Sequence, residues 1–449
     1  MSALARRLCG FALALAAWHG AAADTVTGTV VDAHTGAPLA GATVVVMDDA
    51  AASAQTGADG GFALAAPPPG AGIGIGARAP GYGRALATAT GGAPVRLALT
   101  PVRPRAVYLS VFGIGSAALR DAAVALPQAS AINALVIDVK GDRGMTPYRS
   151  AARDAIGASA QVKAPAPLVR DFPALLAGLH ARGLYLIARI VVFKDEPLAA
   201  AHPDWTVRDG QGAVWRDRED LRWIDPFETE AWQHNLDLAE EAARMGFDEI
   251  QFDYLRFPDA GGLRFSRPNT QDNRVAAITG FLRAARARLA RYNVYIAADI
   301  FGYVCWNLDD TAIGQQLESL GAALDYISPM LYPSGFTWGL PGCTRPVEHA
   351  GEIVARSLAE ARKRTGLPGV RFRPWLQAFR DYAFDHREFD ADEIRAQTQA
   401  ADAEQTDGWM LWNPRNRYDP AQLPQLPQAG QPAQPAQRAQ PAQAAPPAR

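Results

Sequence analysis

The chain of 449 residues carries 44 Lys and Arg against 46 Asp and Glu, a formal net charge of -2. No basic stripe with interleaved aromatics breaks that balance, which argues against a nucleic-acid partner. The length is enough for one large domain and a smaller one.

At the N-terminus Arg6 and Arg7 precede an apolar run from Leu8 to Trp18, and Ala21-Ala22-Ala23 offers small residues before Asp24. This pattern predicts an export signal over residues 1–23, and hence a periplasmic or secreted protein. The run is too short for a mature anchor, and no other stretch reads as an integral membrane segment. Cys9 precedes the apolar core, the wrong place for lipid attachment after cleavage. Cys305 and Cys343 would then be the remaining cysteines, and an oxidising compartment permits a Cys305–Cys343 disulfide.

Residues 24–101 are rich in Gly, Ala, Thr and Val. Strands are predicted near 26–31, 42–47, 61–65 and 95–99, with turns at His34-Thr35-Gly36 and Asp59-Gly60-Gly61. The stretches Gly28-Thr29-Val30-Val31-Asp32, Gly36-Ala37-Pro38-Leu39-Ala40-Gly41-Ala42-Thr43-Val44 and Thr56-Gly57-Ala58-Asp59-Gly60-Gly61-Phe62 resemble the carboxypeptidase regulatory-like domain, a small transthyretin-like β-sandwich. That resemblance implies a binding or spacer module and not a catalytic one.

From residue 102 to 420 strand and helix patterns alternate. Strands are predicted over 106–112, 134–140, 184–193, 249–257, 293–302, 325–332, 371–379 and 408–413, with helices between them such as 229–245, 274–291 and 348–365. Eight such units fit an α/β chain folded as a (β/α)8 TIM barrel better than an open doubly wound sheet. No Gly-rich phosphate loop follows the first strand. From residue 421 to 449 the repeated Pro-Ala-Gln predicts a disordered tail.

The chemistry concentrates at strand ends. Ile250, Phe252 and Tyr254 alternate with Gln251 and Asp253, while Val294, Ile296, Ala298 and Ile300 alternate with Tyr295, Ala297 and Asp299. Asp138 is set apart in the same way within Leu135 to Lys140. Cleaving a glycosidic bond needs a proton donor for the leaving oxygen and a second carboxylate as nucleophile or base. Asp253 and Asp299 are the leading catalytic candidates, with Asp138 third. The bland reading pairs each acid with an Arg or with Lys140, but burying two acids side by side is costly without a use. Arg189 and Arg256 are suited to orient the carboxylates. Tyr254, Arg256, Tyr303, Tyr332, Trp375, Gln377, Trp412 and Asn413 are the candidate sugar-binding residues, since aromatic faces pack on pyranose rings and polar side chains bond hydroxyls. Trp306 and Trp338 fall in loops above the barrel, and Asp309-Asp310 reads as a helix N-cap. The seven His are scattered, and neither Cys-x-x-Cys nor Gly-x-Ser-x-Gly occurs. No metal or cofactor is therefore expected, and a glycosidase ranks above a metal-dependent hydrolase or a deacetylase.

At these positions the chain resembles the putative glycosyl hydrolase domain family of bacterial TIM barrels. The matching stretches are Ile137-Asp138-Val139-Lys140-Gly141-Asp142, Arg189 to Asp195, Trp223-Ile224-Asp225-Pro226, Phe247 to Pro258, Asp299-Ile300-Phe301-Gly302 and Ile327 to Ser334. The resemblance spans about residues 105–415 and implies a glycosidase-type fold acting on carbohydrate. By similarity to α-amylase-like barrels Asp253 matches the nucleophile, while Asp299 stands where Glu is usual as acid/base. The alternative is a non-catalytic carbohydrate-binding or envelope protein on the same barrel.

Overall fold

The computed structural model describes residues 24–49, 52–66, 72–90, 92–163 and 165–425. The expected export signal, and the tail beyond residue 425, lie outside the described residues.

Seven short strands come first: β1 (Asp24–Asp32), β2 (Thr43–Val46), β3 (Ser53–Gln55), β4 (Gly61–Ala66), β5 (Ile73–Arg78), β6 (Ala85–Ala89) and β7 (Val95–Leu99). They form two sheets, ordered β4-β1-β7 and β3-β2-β5-β6. Val30, Val44, Ile75 and Leu97 close a small apolar core between them. The Asp32 carboxylate accepts the N–H groups of His34 and Thr35, fixing the turn that follows β1.

Eight further strands close a barrel: β8 (Arg105–Leu109), β9 (Ala134–Lys140), β10 (Tyr185–Val191), β11 (Glu249–Asp253), β12 (Tyr295–Phe301), β13 (Tyr326–Met330), β14 (Trp375–Gln377) and β15 (Trp409–Trp412). All neighbours in the barrel are parallel. The expected TIM barrel is therefore the observed architecture. The alternation read from the sequence has its cause here. Ile250, Phe252, Ile296, Ala298 and Ile300 join the core under the helices, while Tyr295 and Ala297 join Tyr326, Trp375 and Met410 inside the barrel. The helices Thr229–Arg244, Gln271–Leu289 and Ala350–Thr365 fall where 3.6-residue spacing put them. Several strands stop sooner than the apolar pattern. After Asp253, Tyr254 turns to φ 48°, which ends pairing.

The sandwich seals the amino-terminal end of the barrel. The Tyr295 hydroxyl shares its one proton between the carbonyls of Ala79 (2.8 Å) and Tyr82 (2.7 Å) and accepts the Ala79 N–H. Asn293 bonds the Arg78 guanidinium and donates to the carbonyls of Ala77 and Ala85. Gly81 N–H reaches Tyr326 and Asp407, and Arg84 pairs with Asp248 at 2.8 Å. Below that seam Arg373 is fully buried, ion-paired to Glu249 and Asp407 and lying over the Tyr326 ring. The module implied as a binding or spacer unit is thus also the floor of the barrel.

Two expectations are corrected. Cys305 and Cys343 are free thiols, not a disulfide. Both are buried in the main core, where each packs as a small apolar group. Asp309-Asp310 caps no helix, because the next one starts only at Leu317. Asp310 is instead buried against Arg274 and accepts the N–H groups of Ala312 and Gly314. Trp306, in the loop after β12, donates its indole N–H to Ser357 on the helix Ala350–Thr365. Among the described residues no helix is long and apolar enough to cross a membrane.

Candidate active site

Parallel strands in a closed barrel bring their carboxyl-terminal ends to one mouth, so residues far apart in sequence converge there. Asp138 of β9, Arg189 of β10, Asp253 of β11 and Asp299 of β12 meet in this way. Arg189 is the hub. Its Nη1 donates to Asp138 at 2.7 Å and its Nη2 to Asp142 at 2.8 Å. Asp253 takes two bonds on one oxygen, from Nε at 2.9 Å and Nη2 at 2.5 Å. Asp299 Oδ2 lies 3.9 Å from Nε. One guanidinium thus serves four carboxylates. Burial works against its charge, but Asp142, Asp253 and Asp138 hold its proton affinity well above the ordinary value.

The four acids have different surroundings. Asp138 is buried, and burial raises its pKa to about 6 despite Arg189 and the Tyr108 hydroxyl, which donates to it at 2.7 Å. Asp299 is also buried. Burial, and after it the negative charge of Asp253, push its carboxyl well above the usual range against the opposing effects of Arg189 and the Trp375 indole. The indole N–H donates to Oδ1 at 2.7 Å, while Oδ2 has no hydrogen-bond partner. Asp253 accepts its third bond from the N–H of Tyr254, a contact made by the left-handed backbone there. For a bulky residue that conformation is costly, and such strain concentrates where a side chain must be aimed. Asp142 has the most open carboxylate of the four, with 37% of its side chain exposed.

Above the acids lies a cavity of about 460 Å³. Asp142, Arg189 and Asp253 form its charged floor, and Tyr254, Tyr303, Tyr332, Trp375 and Trp412 line it together with Arg256. Trp412 stacks on Tyr108 at 3.9 Å, and Arg189 packs beneath both rings. Burial and the charges of Asp299 and Asp253 keep the Tyr332 phenol protonated, so it is available as a donor.

Most of the expected site residues therefore come together, but not all at the cavity wall. Asp138 and Asp299 sit behind it, and Trp375 spends its N–H on Asp299. Gln377 does not line the cavity. It is fully buried, donating to Ser334 and the Phe379 carbonyl while accepting the Ser334 N–H. Asn413 is likewise absorbed, bonding the Ala378 carbonyl and the Arg415 N–H. Asp142, Tyr108, Phe301, Phe336, Phe379 and Tyr382 were missed. Asp142 had two signals, its place two residues after an acid-bearing strand and its inclusion in the matching stretch Ile137 to Asp142.

A closed parallel barrel with clustered acids at its carboxyl-terminal mouth is a glycosidase-like architecture. Residues 106–418 match the family described as putative glycosyl hydrolase domain, and the chain belongs to it. Residues 25–102 match the carboxypeptidase regulatory-like domain. No curated protein sequence matches the chain. Among solved structures it is similar to the PgaB (BpsB) glycoside hydrolase domain from Bordetella bronchiseptica, at 15% identity and TM-score 0.52 over 70% of this chain and 95% of that one. A hypothetical protein from Ruminiclostridium thermocellum is 33% identical over 43% of this chain and 96% of its own, with TM-score 0.37. The PelA glycoside hydrolase domain from Pseudomonas aeruginosa is 13% identical over 70% and 97%, with TM-score 0.41.

Proposed function

We propose that the protein is an exported glycoside hydrolase that cleaves the O-glycosidic bonds of a poly- or oligosaccharide with a pair of aspartates. The carrying observation is the contrast between two neighbouring acids: Asp253, charge-paired to Arg189 at the cavity floor, and Asp299, whose surroundings favour its neutral form. Environments that push two carboxyl groups apart are how one site holds both a base and an acid. Asp253 is the nucleophile or base toward the anomeric carbon. Asp299 supplies the proton that goes to the leaving oxygen as the carbon–oxygen bond breaks, and water provides the hydroxyl and the replacement proton. Asp138 steadies Arg189 from behind. The nearest oxygens of Asp253 and Asp299 both lie on Arg189 Nε, at 2.9 and 3.9 Å, so they are at most about 6.8 Å apart, within the reach of paired glycosidase acids. The expected export rests on the N-terminal sequence.

A second reading has one observation in its favour. Asp299 is enclosed at 1% exposure, whereas Asp142 opens to the cavity, so Asp142 is the rival proton donor. The experiment is reducing-sugar release from a panel of bacterial and plant polysaccharides by the parent and by Asp253→Asn, Asp299→Asn and Asp142→Asn. The expected outcome is a loss of roughly 10²–10⁴-fold in the first two and a smaller loss in the third. A loss in Asp142→Asn equal to that in Asp253→Asn, with Asp299→Asn active, would transfer the acid role. No release by the parent, with glycan binding intact, would leave the binding-protein alternative standing.

A further inference from the structure

The two most exposed aromatic side chains among the described residues stand beside the same cavity. Trp338, in the loop after β13, is 83% exposed, and Tyr382, in the loop after β14, is 59% exposed. A single exposed aromatic is ordinary on a protein surface. These two differ because their backbones are locked while their rings are left open.

The Trp338 N–H donates to the Tyr303 hydroxyl at 2.9 Å, and that hydroxyl donates to the Gly339 carbonyl at 3.1 Å. Gly339 has φ 69°, and a Cβ there would lie 2.4 Å from the Cys343 carbonyl oxygen, so the turn needs glycine. Leu340 and Cys343 then exchange two backbone hydrogen bonds at 2.8 Å. The Tyr382 loop is fixed by Asp381, whose carboxylate accepts the Ser334 hydroxyl and the N–H groups of Ala383, Phe384, Asp385 and His386. Tyr303 lines the cavity, and its ring centroid lies 5.5 Å from that of Trp338. Trp338 is therefore the outward continuation of an aromatic wall that begins inside the site.

We infer that Trp338 is a sugar platform beyond the cavity, and that the substrate is a polysaccharide whose chain runs out over the loops after β13 and β14. This rests on the glycosidase reading for its substrate class. A rigid indole, open to solvent and continuous with the cavity wall, offers a flat apolar face to a pyranose at little ordering cost. Short glycosides end before reaching it.

The experiment compares xylo-, cello-, malto- and N-acetylchito-oligosaccharides of two to eight units, with the parent, Trp338→Ala and Trp338→Phe. For any series the parent cleaves, kcat/KM is expected to rise with length. Trp338→Ala should lower the ratio of octamer to trimer by roughly 3- to 10-fold, and Trp338→Phe should restore most of it. An unchanged ratio in Trp338→Ala would overturn the platform. If the parent cleaves no series, the hydrolase reading fails, and the platform is read separately by affinity electrophoresis through gels holding xylan, soluble cellulose, starch or glycol chitin. Retardation of the parent that Trp338→Ala loses supports it. Equal retardation, or none in any gel, overturns it.

Discussion

At the scale of single residues, the site turns on how one guanidinium is shared. Asp138 titrates near 6 in the folded protein against an ordinary value of 3.8. The folded state therefore holds its proton more tightly than the unfolded chain does. The resulting stabilisation is complete below about pH 4 and is lost as pH rises through about 6. Asp138→Asn removes that titration. Relative to the parent, the variant should gain stability between pH 4 and pH 6, by up to about 2 kcal/mol. Denaturant midpoints at the two pH values measure this, and a parent-to-variant gap that does not change with pH would refute it. Asp138 was legible because it breaks a buried apolar strand. Asp142 was not, because a loop has no period against which a functional side chain stands out. Gln377 misled for a related reason: a polar residue at a strand end reads as a ligand group until its bonds to Ser334 and Phe379 are seen.

At the scale of elements, the eight barrel strands were legible because each is buried on both faces in two different surroundings, which a period of two reveals. Their ends were not, since strand length is decided by turns and tertiary contacts. β15 is an instance. It begins after Gly408, which has φ 74°, and a Cβ at that position would lie 1.8 Å from the Pro104 carbonyl oxygen. That same oxygen accepts the Trp409 N–H and sets β15 against β8. Gly408→Ala thus combines a left-handed backbone with a clash against main chain that cannot rotate aside. A destabilisation of about 4 kcal/mol or more is expected, or failure to fold. Urea unfolding of the purified variant checks it, and a change under about 1 kcal/mol would contradict the packing described here.

At the scale of the whole molecule, the candidate site and the domain attachment occupy opposite ends of the barrel. The sequence announced two domains but not their seam, because Asn293 and Tyr295 look like any residues that open a strand. A seam made of buried hydrogen bonds couples the two units, so a single thermal transition is expected from the full chain. Tyr295→Phe strips the hydroxyl from Ala79 and Tyr82 and should cost about 1–3 kcal/mol without altering turnover. Two well-separated transitions in the parent, or a lower kcat in the variant, would show the ends to be organised differently. The seam also has a consequence in time. It joins Ala79 to a residue 216 positions later, and Gly81 to one 326 positions later. During synthesis the sandwich emerges first and holds only local contacts, while its partners lie on strands that do not yet exist. The bond from Gly81 to Asp407 can form only once the chain has reached β15, long after the sandwich has emerged. Until then the seam has only its earlier partners, among them Asn293 and Tyr295, to hold the sandwich against the barrel.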